Sequence, residues 1–372
     1  MEKLTSWLHE SMFIAPLSPA CRMCAKGSKM VVLVTGLCST KCYYCPLSFK
    51  KGGTDRIFAD EWELEDENDT TTLIREAELI EATGAGITGG DPLVVWKRTQ
   101  RYITLLKETF GDRFNIHLYT SALKNAEHLV DLAAVGLDEV RFHPLPSTWT
   151  TMEKNPIRKA IGDMVKSSSD VAIEIPVIPK METEIVALIT WADEHGVRWV
   201  NLNELEFSER NCEAFTVRGY HVKDDISAAV QGSQQTARKV LRTVQQKNLS
   251  IGVHYCSVSF KDGVQLRNRL KRRAANIARP YDVITKEGTL VKGAVVPTKG
   301  SLRKLSEILR ETYKIPRHLF FIDKEKNRVE LAAWLLEKNA KKLVRQGYDC
   351  FIVEEYPTAD RLEVERTPMG KM

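Results

Sequence analysis

Cys38, Cys42 and Cys45 share one short run, Thr35-Gly-Leu-Cys-Ser-Thr-Lys-Cys-Tyr-Tyr-Cys-Pro46, directly after the apolar stretch Met30-Val-Val-Leu-Val34. A closed thiolate site, whether zinc or iron–sulfur, is saturated by four ligands. The C-x3-C-x2-C spacing supplies one too few. Three thiolates on one loop can hold three irons of a [4Fe–4S] cube and leave the fourth iron open for chemistry. The competing reading is a zinc knuckle with a remote fourth ligand, for which this spacing is unusual.

Cys21 and Cys24 form a separate C-x2-C pair, a spacing that usually chelates. Such a site needs two more ligands. His254 and Cys256, in Val-His-Tyr-Cys-Ser257, are the best offered, with Cys212 third. An auxiliary iron–sulfur cluster and a structural zinc both fit this set, and so does a metal-free pair in an N-terminal strap. A third motif is Thr88-Gly-Gly-Asp-Pro92, whose glycines permit a close backbone approach. Cys350 lies in an apolar run and is expected in the core.

These motifs need elements to position them. Candidate strands are Met30–Thr35, Gly86–Thr88, Phe114–Tyr119, Glu139–Phe142, Val171–Ile175, Trp199–Leu202 and Ser250–His254. Helical apolar spacing fills most of the intervals, at Thr72–Ala82, Val95–Phe110, Lys124–Val135, Ile185–His195 and Gln234–Lys247. Strands alternating with helices predict βαβ units and a parallel sheet. The size is that of a partial (β/α)6-type barrel, in which working residues sit at strand C-terminal ends. The cysteine loop and the Gly-Gly-Asp turn fall there, after the first and second strands.

Beyond about residue 260 the rhythm changes. A basic helical stretch, Arg267–Arg273, precedes strand-like Val291–Val296, helical Leu302–Tyr313, strand-like His318–Ile322, helical Leu331–Gln346, and strand-like Cys350–Glu355 and Arg361–Arg366. The expected organisation is a strap over 1–29, a barrel over 30–260 and a small α+β accessory domain over 261–372. The basic stretch reads as a solvated helix face, or as a contact for an anionic substrate or nucleic acid.

Composition sets the class. Of 372 residues, 43% are hydrophobic and 28% charged, as in an ordinary globular protein. The net charge of +5 is too mild to imply nucleic acid by itself. No apolar run approaches the ~18 residues of a membrane span, and no signal-peptide core opens the chain. Five of the eight cysteines crowd between Cys21 and Cys45, which suggests metal rather than a disulfide framework and a cytoplasmic location.

The cysteine triad with Tyr44 before its third member resembles the signature of the radical SAM superfamily. Thr88-Gly-Gly-Asp-Pro92 resembles that superfamily's Gly-Gly-Glu-Pro motif, with Asp91 for the usual glutamate. The whole chain is similar to an uncharacterised, mostly archaeal group related to pyruvate formate-lyase activating enzymes. The resemblance implies that Cys38, Cys42 and Cys45 bind three irons while the amine and carboxylate of S-adenosylmethionine chelate the fourth. Reductive cleavage would then yield a 5′-deoxyadenosyl radical acting on a substrate: a protein glycyl radical site, a peptide, a tRNA or a metabolite. It further implies an electron donor of ferredoxin or flavodoxin type.

By the same resemblance Tyr44 packs near the adenine, and Gly89 and Gly90 admit the methionyl group. Asp91 or nearby carbonyls accept from its amine. Polar groups at later strand ends, Thr120, Arg141, Glu174 and Asn203, contact the ribose, carboxylate or substrate, and His143 is a further candidate. The rival from another class is a non-catalytic zinc module that binds nucleic acid through the basic helix.

Overall fold

The computed structural model describes residues 4–224 and 227–370, and divides into two compact units, Met1–Leu266 and Arg267–Met372.

The first unit is built on an eleven-stranded sheet. Its strands are β1 (Thr5–Ser6), β2 (Met12–Ile14), β3 (Lys29–Leu33), β4 (Phe58–Ala59), β5 (Trp62–Glu63), β6 (Gly84–Thr88), β7 (Asn115–Thr120), β8 (Glu139–Phe142), β9 (Asp170–Val177), β10 (Trp199–Glu204) and β11 (Gly252–Cys256). The order is β1-β2-β11-β10-β9-β8-β7-β6-β3-β4-β5. From β3 through β6 to β11 every neighbouring pair is parallel, so the seven strands expected from sequence form one continuous ribbon. The helices Thr70–Leu79, Trp96–Phe110, Leu129–Ala134, Ile157–Val165, Glu182–Glu194 and Ser233–Lys247 occupy the crossovers. Ile157–Val165 had no counterpart among the expected helices.

The N-terminal segment is woven into this sheet rather than strapped across it. β2 runs antiparallel to β11, pairing Phe13 with His254 and Met12 with Tyr255. The next helix, Pro19–Ala25, starts where chain chemistry says it should. Ser18 Oγ accepts from Ala20 N at 3.1 Å, and Pro19 occupies the first turn, where no backbone donor is needed.

A strand's side chains alternate between faces. On β7, β8, β10 and β11 the apolar set Ile116, Leu118, Val140, Phe142, Val200, Leu202, Val253 and Tyr255 joins the main core. The alternate set is polar: His117, Tyr119, Arg141, Asn201, Asn203, His254 and Cys256. Parallel strands buried on both faces are ordinarily apolar on both. Here the inner face is polar instead.

The second unit has its own antiparallel sheet of β12 (Val283–Ile284), β13 (Leu290–Pro297), β14 (Phe320–Asp323), β15 (Arg328–Leu331), β16 (Tyr348–Glu355) and β17 (Glu363–Met369). Helices Leu302–Glu311 and Ala333–Arg345 contribute Leu305, Leu309, Leu336 and Leu343 to its core, which also holds Cys350. Strands β12 and β15 were not expected. The basic stretch forms the helix Arg267–Ile277, but it is not a uniformly solvated face: Arg273 is buried, with its guanidinium donating to Pro357 O.

Candidate active site

A cleft of about 850 Å³ opens among the C-terminal ends of the parallel strands. Its lining includes Cys38, Cys42, Cys45 and Tyr44 from the loop after β3, and Gly89 and Gly90 from the turn after β6. Thr120, Arg141, Glu174 and Asn203 reach it from β7 to β10, and Cys21, Cys24, His254 and Cys256 complete it. Of the predicted site residues Asp91 and the third-choice ligand Cys212 lie off this lining. Cys212 is exposed at the start of a short helix away from it, and Cys350 is core of the other unit.

The cysteine loop is held by backbone contacts. Gly36 N donates to Thr54 O, Gly90 N to Thr35 O and Asp91 N to Leu37 O, each at 2.8 Å. A Cβ on Gly89 would fall 2.2 Å from Thr35 O, and one on Gly90 would fall 2.1 Å from Leu37 O. The missing side chains therefore let the β6 turn press against the cysteine loop itself, a different use of the two glycines from admission of a ligand.

Asp91 also serves the scaffold. Its carboxylate accepts from Thr120 Oγ1 (2.7 Å), Ser121 Oγ (2.5 Å), Ser121 N (3.1 Å) and Leu93 N (3.1 Å). Both oxygens are occupied in a buried setting.

Behind the loop, Tyr44 Oη meets His143 Nε2 at 2.9 Å, while His143 Nδ1 donates to Glu174 O at 2.8 Å. Burial pushes the Cys42 thiol up, but hydrogen bonds involving His143, Thr40 and Tyr44 outweigh it and leave the pKa below the ordinary thiol value. A thiol so biased is suited to binding a metal as thiolate. Cys45 is pushed up by burial.

The inner wall is one polar network. Arg141 donates to Glu139 at 2.6 Å and to Glu174 at 2.7 Å. Glu174 also accepts from Asn201 at 3.0 Å and Asn203 at 2.7 Å. Although burial raises it, the Arg141 charge and these amides hold Glu174 below the usual carboxylate value. Deeper in lie Lys29 and His117, neither of them expected from sequence. The period-two alternation of Asn115-Ile-His-Leu-Tyr-Thr120 was the signal that could have found His117.

Among the described residues no three His, Cys, Asp or Glu side chains converge on a single metal ion. The triad Cys38, Cys42 and Cys45 is no exception. Its fit to a cluster rests on three thiols from one pinned loop, facing one cleft, with Cys42 biased toward thiolate.

Comparisons with known proteins follow the same line. Residues 288–369 match a family model described as "Domain of unknown function (DUF8061)". A protein of Methanocaldococcus jannaschii, named "Putative glycyl-radical enzyme activating enzyme MJ0021", is 38% identical over 379 residues, covering 99% of this chain and 96% of its own. Among solved structures, Streptococcus suis SuiB bound to S-adenosylmethionine aligns with 62% of this chain at 11% identity and a TM-score of 0.43. The match spans 50% of SuiB's length. A radical SAM methyltransferase from Sphaerobacter thermophilus aligns with 68% of this chain and 72% of its own, at 16% identity and a TM-score of 0.40.

The chain belongs to the family of this M. jannaschii protein, the group related to glycyl-radical enzyme activating enzymes. It is an enzyme rather than a non-catalytic zinc module. None of its described helices is long and apolar enough to cross a membrane.

Proposed function

We propose that the cleft binds a [4Fe–4S] cluster through Cys38, Cys42 and Cys45 and S-adenosylmethionine beside it, and that the enzyme abstracts hydrogen from a substrate at the cleft mouth. When bound, the two cofactors supply reductive C–S cleavage and a 5′-deoxyadenosyl radical. The observation that carries the reading is the lock between the cysteine loop and the β6 turn, through Gly89 and Gly90, on the wall of the cleft.

The chain's own residues have separable tasks. The turn carbonyls near Gly89 and Gly90 accept from the ligand's amine. Tyr44, fixed by His143, supplies a flat wall for the adenine. Glu174, kept ionised by Arg141, and Asn203 offer acceptor and donor to ribose hydroxyls. The cleft walls shield one side of the reactive species from water.

The substrate favoured here is a glycine Cα–H of a partner protein. The name of the M. jannaschii relative supports it. A peptide, a tRNA or a metabolite are the other classes. The electron donor is of ferredoxin or flavodoxin type.

Electron paramagnetic resonance of the anaerobically reduced protein tests the cofactor reading: S-adenosylmethionine should perturb the cluster signal, and an unchanged spectrum contradicts it. Feeding cells α-deuterated glycine tests the substrate. Incubation of the enzyme with their extract should place deuterium in the 5′-deoxyadenosine released. Unlabelled 5′-deoxyadenosine would rule out glycine and leave the cleavage reaction standing.

A further inference from the structure

Cys21, Cys24, His254 and Cys256 line the same cleft but take no part in the chemistry above. Two elements deliver them. The helix Pro19–Ala25 carries Cys21 and Cys24, and the end of β11 carries His254 and Cys256. The β2–β11 ladder anchors the segment leading into that helix beside β11, across more than two hundred residues of sequence. We infer that these four side chains bind a second iron–sulfur cluster, distinct from the one on the Cys38–Cys45 loop.

Three observations carry the inference. First, His254 is only 4% exposed, and neither of its ring nitrogens has a hydrogen-bond partner in the structure. An orphaned buried donor or acceptor costs ~1–3 kcal/mol. A neutral imidazole is a metal ligand, and coordination would satisfy a ring nitrogen that nothing in the protein does.

Second, cations are buried among these thiols, and one of them has no carboxylate partner among the described residues. Arg141 Nη2 lies 3.6 Å from Cys21 Sγ but is paired with Glu139 and Glu174, Lys261 is paired with Glu206, and the charge of Lys29 acts on Cys24. Lys29 is itself 3% exposed, and its ammonium donates to the neutral Asn115 O and Oδ1 at 2.6 and 2.5 Å. Neutral buried thiols need no such company, and burying cations is costly. An anionic thiolate-ligated centre would give Lys29 a counter-charge, with N–H groups directed at its sulfurs.

Third, the thiols from the two elements stand close together: the charges of Cys21 and Cys24 act on Cys256, and that of Cys24 acts on Cys21.

The test is iron and zinc content together with the cluster chromophore, measured on anaerobically reconstituted full-length protein. The C38A/C42A/C45A variant should keep half of the wild-type iron and an iron–sulfur absorption band, with a reduced-state resonance that S-adenosylmethionine does not alter. The complementary C21S/C24S variant should also keep half, with a resonance that S-adenosylmethionine does alter. A triad-less variant holding zinc alone, or no metal, overturns the inference. Because that variant lacks the first site, its result does not depend on the proposed reaction. Failure of the reaction would show instead in the C21S/C24S protein. If C21S/C24S does not fold, the triad-less variant decides alone.

Discussion

The hydroxyl of Tyr44 lies 2.9 Å from Nε2 of His143, and this contact ties the cysteine loop to the far side of the cleft. His143 Nδ1 donates to Glu174 O, so the contact with Tyr44 is made by the other ring nitrogen. Tyr44→Phe removes one part-buried hydrogen bond, worth ~0.5–1.5 kcal/mol. The melting temperature should fall by ~2–4 °C per kcal/mol for a unit of this size. Thermal unfolding checks it, and iron content should stay at the wild-type level.

Gly90→Ala should act on the cluster. The new Cβ meets the Leu37 carbonyl at 2.1 Å, and backbone on both sides leaves nothing flexible to yield. Forced overpacking costs ~1–3 kcal/mol, and here it pushes on the loop that carries the thiols. Iron bound after reconstitution should drop several-fold while far-ultraviolet circular dichroism stays wild-type.

Asp91 separates a scaffold role from a ligand role. Asp91→Ala strips acceptors from Thr120, Ser121 and Leu93. A hydrogen bond to a buried charge contributes ~1.5–3 kcal/mol. A large fall in melting temperature is expected in the cofactor-free protein. An S-adenosylmethionine affinity lost with no change in melting temperature would return Asp91 to the binding site.

In the second unit Arg328 is almost fully buried and donates to Glu330 at 2.6 Å, Glu355 at 2.7 Å and Glu363 at 2.5 Å. Although burial raises them, Lys292 and the neighbouring guanidiniums leave Glu330 and Glu355 below the ordinary value of 4.5. The sign follows from linkage: the stabilisation is fully present above 4.5 and is lost as pH falls through the lowered folded-state values. Arg328→Met leaves buried carboxylates without their cation and should cost ~3–5 kcal/mol at neutral pH. Melting curves between neutral and acid pH should converge for wild type and variant as the carboxylates protonate.

Much of this was legible in the residues. The seven parallel strands are apolar runs bounded by turns, and each appears within a few residues of its expected place. The triad was plain because its spacing is itself chemical. The strand Arg328-Val-Glu-Leu331 was not, because its charged residues are buried in ion pairs, and hydropathy reads charge as exposure. Lys29 and His117, buried without ion pairs, were missed because hydropathy also places a lone basic residue at the surface. A motif names residues and not what they face, so the scaffold contacts of Gly89, Gly90 and Asp91 were not legible in it. Only the packed chain shows that the two glycines face the Thr35 and Leu37 carbonyls and that Asp91 is spent on its own turn.

The most direct test is 5′-deoxyadenosine formation by anaerobic, reconstituted protein given S-adenosylmethionine and a strong reductant. Wild type and Cys350→Ala, altered in the core of the second unit, should both form it. Cys42→Ala should form none above the protein-free control. Undiminished product from Cys42→Ala, or none from wild type carrying its full iron, contradicts the account.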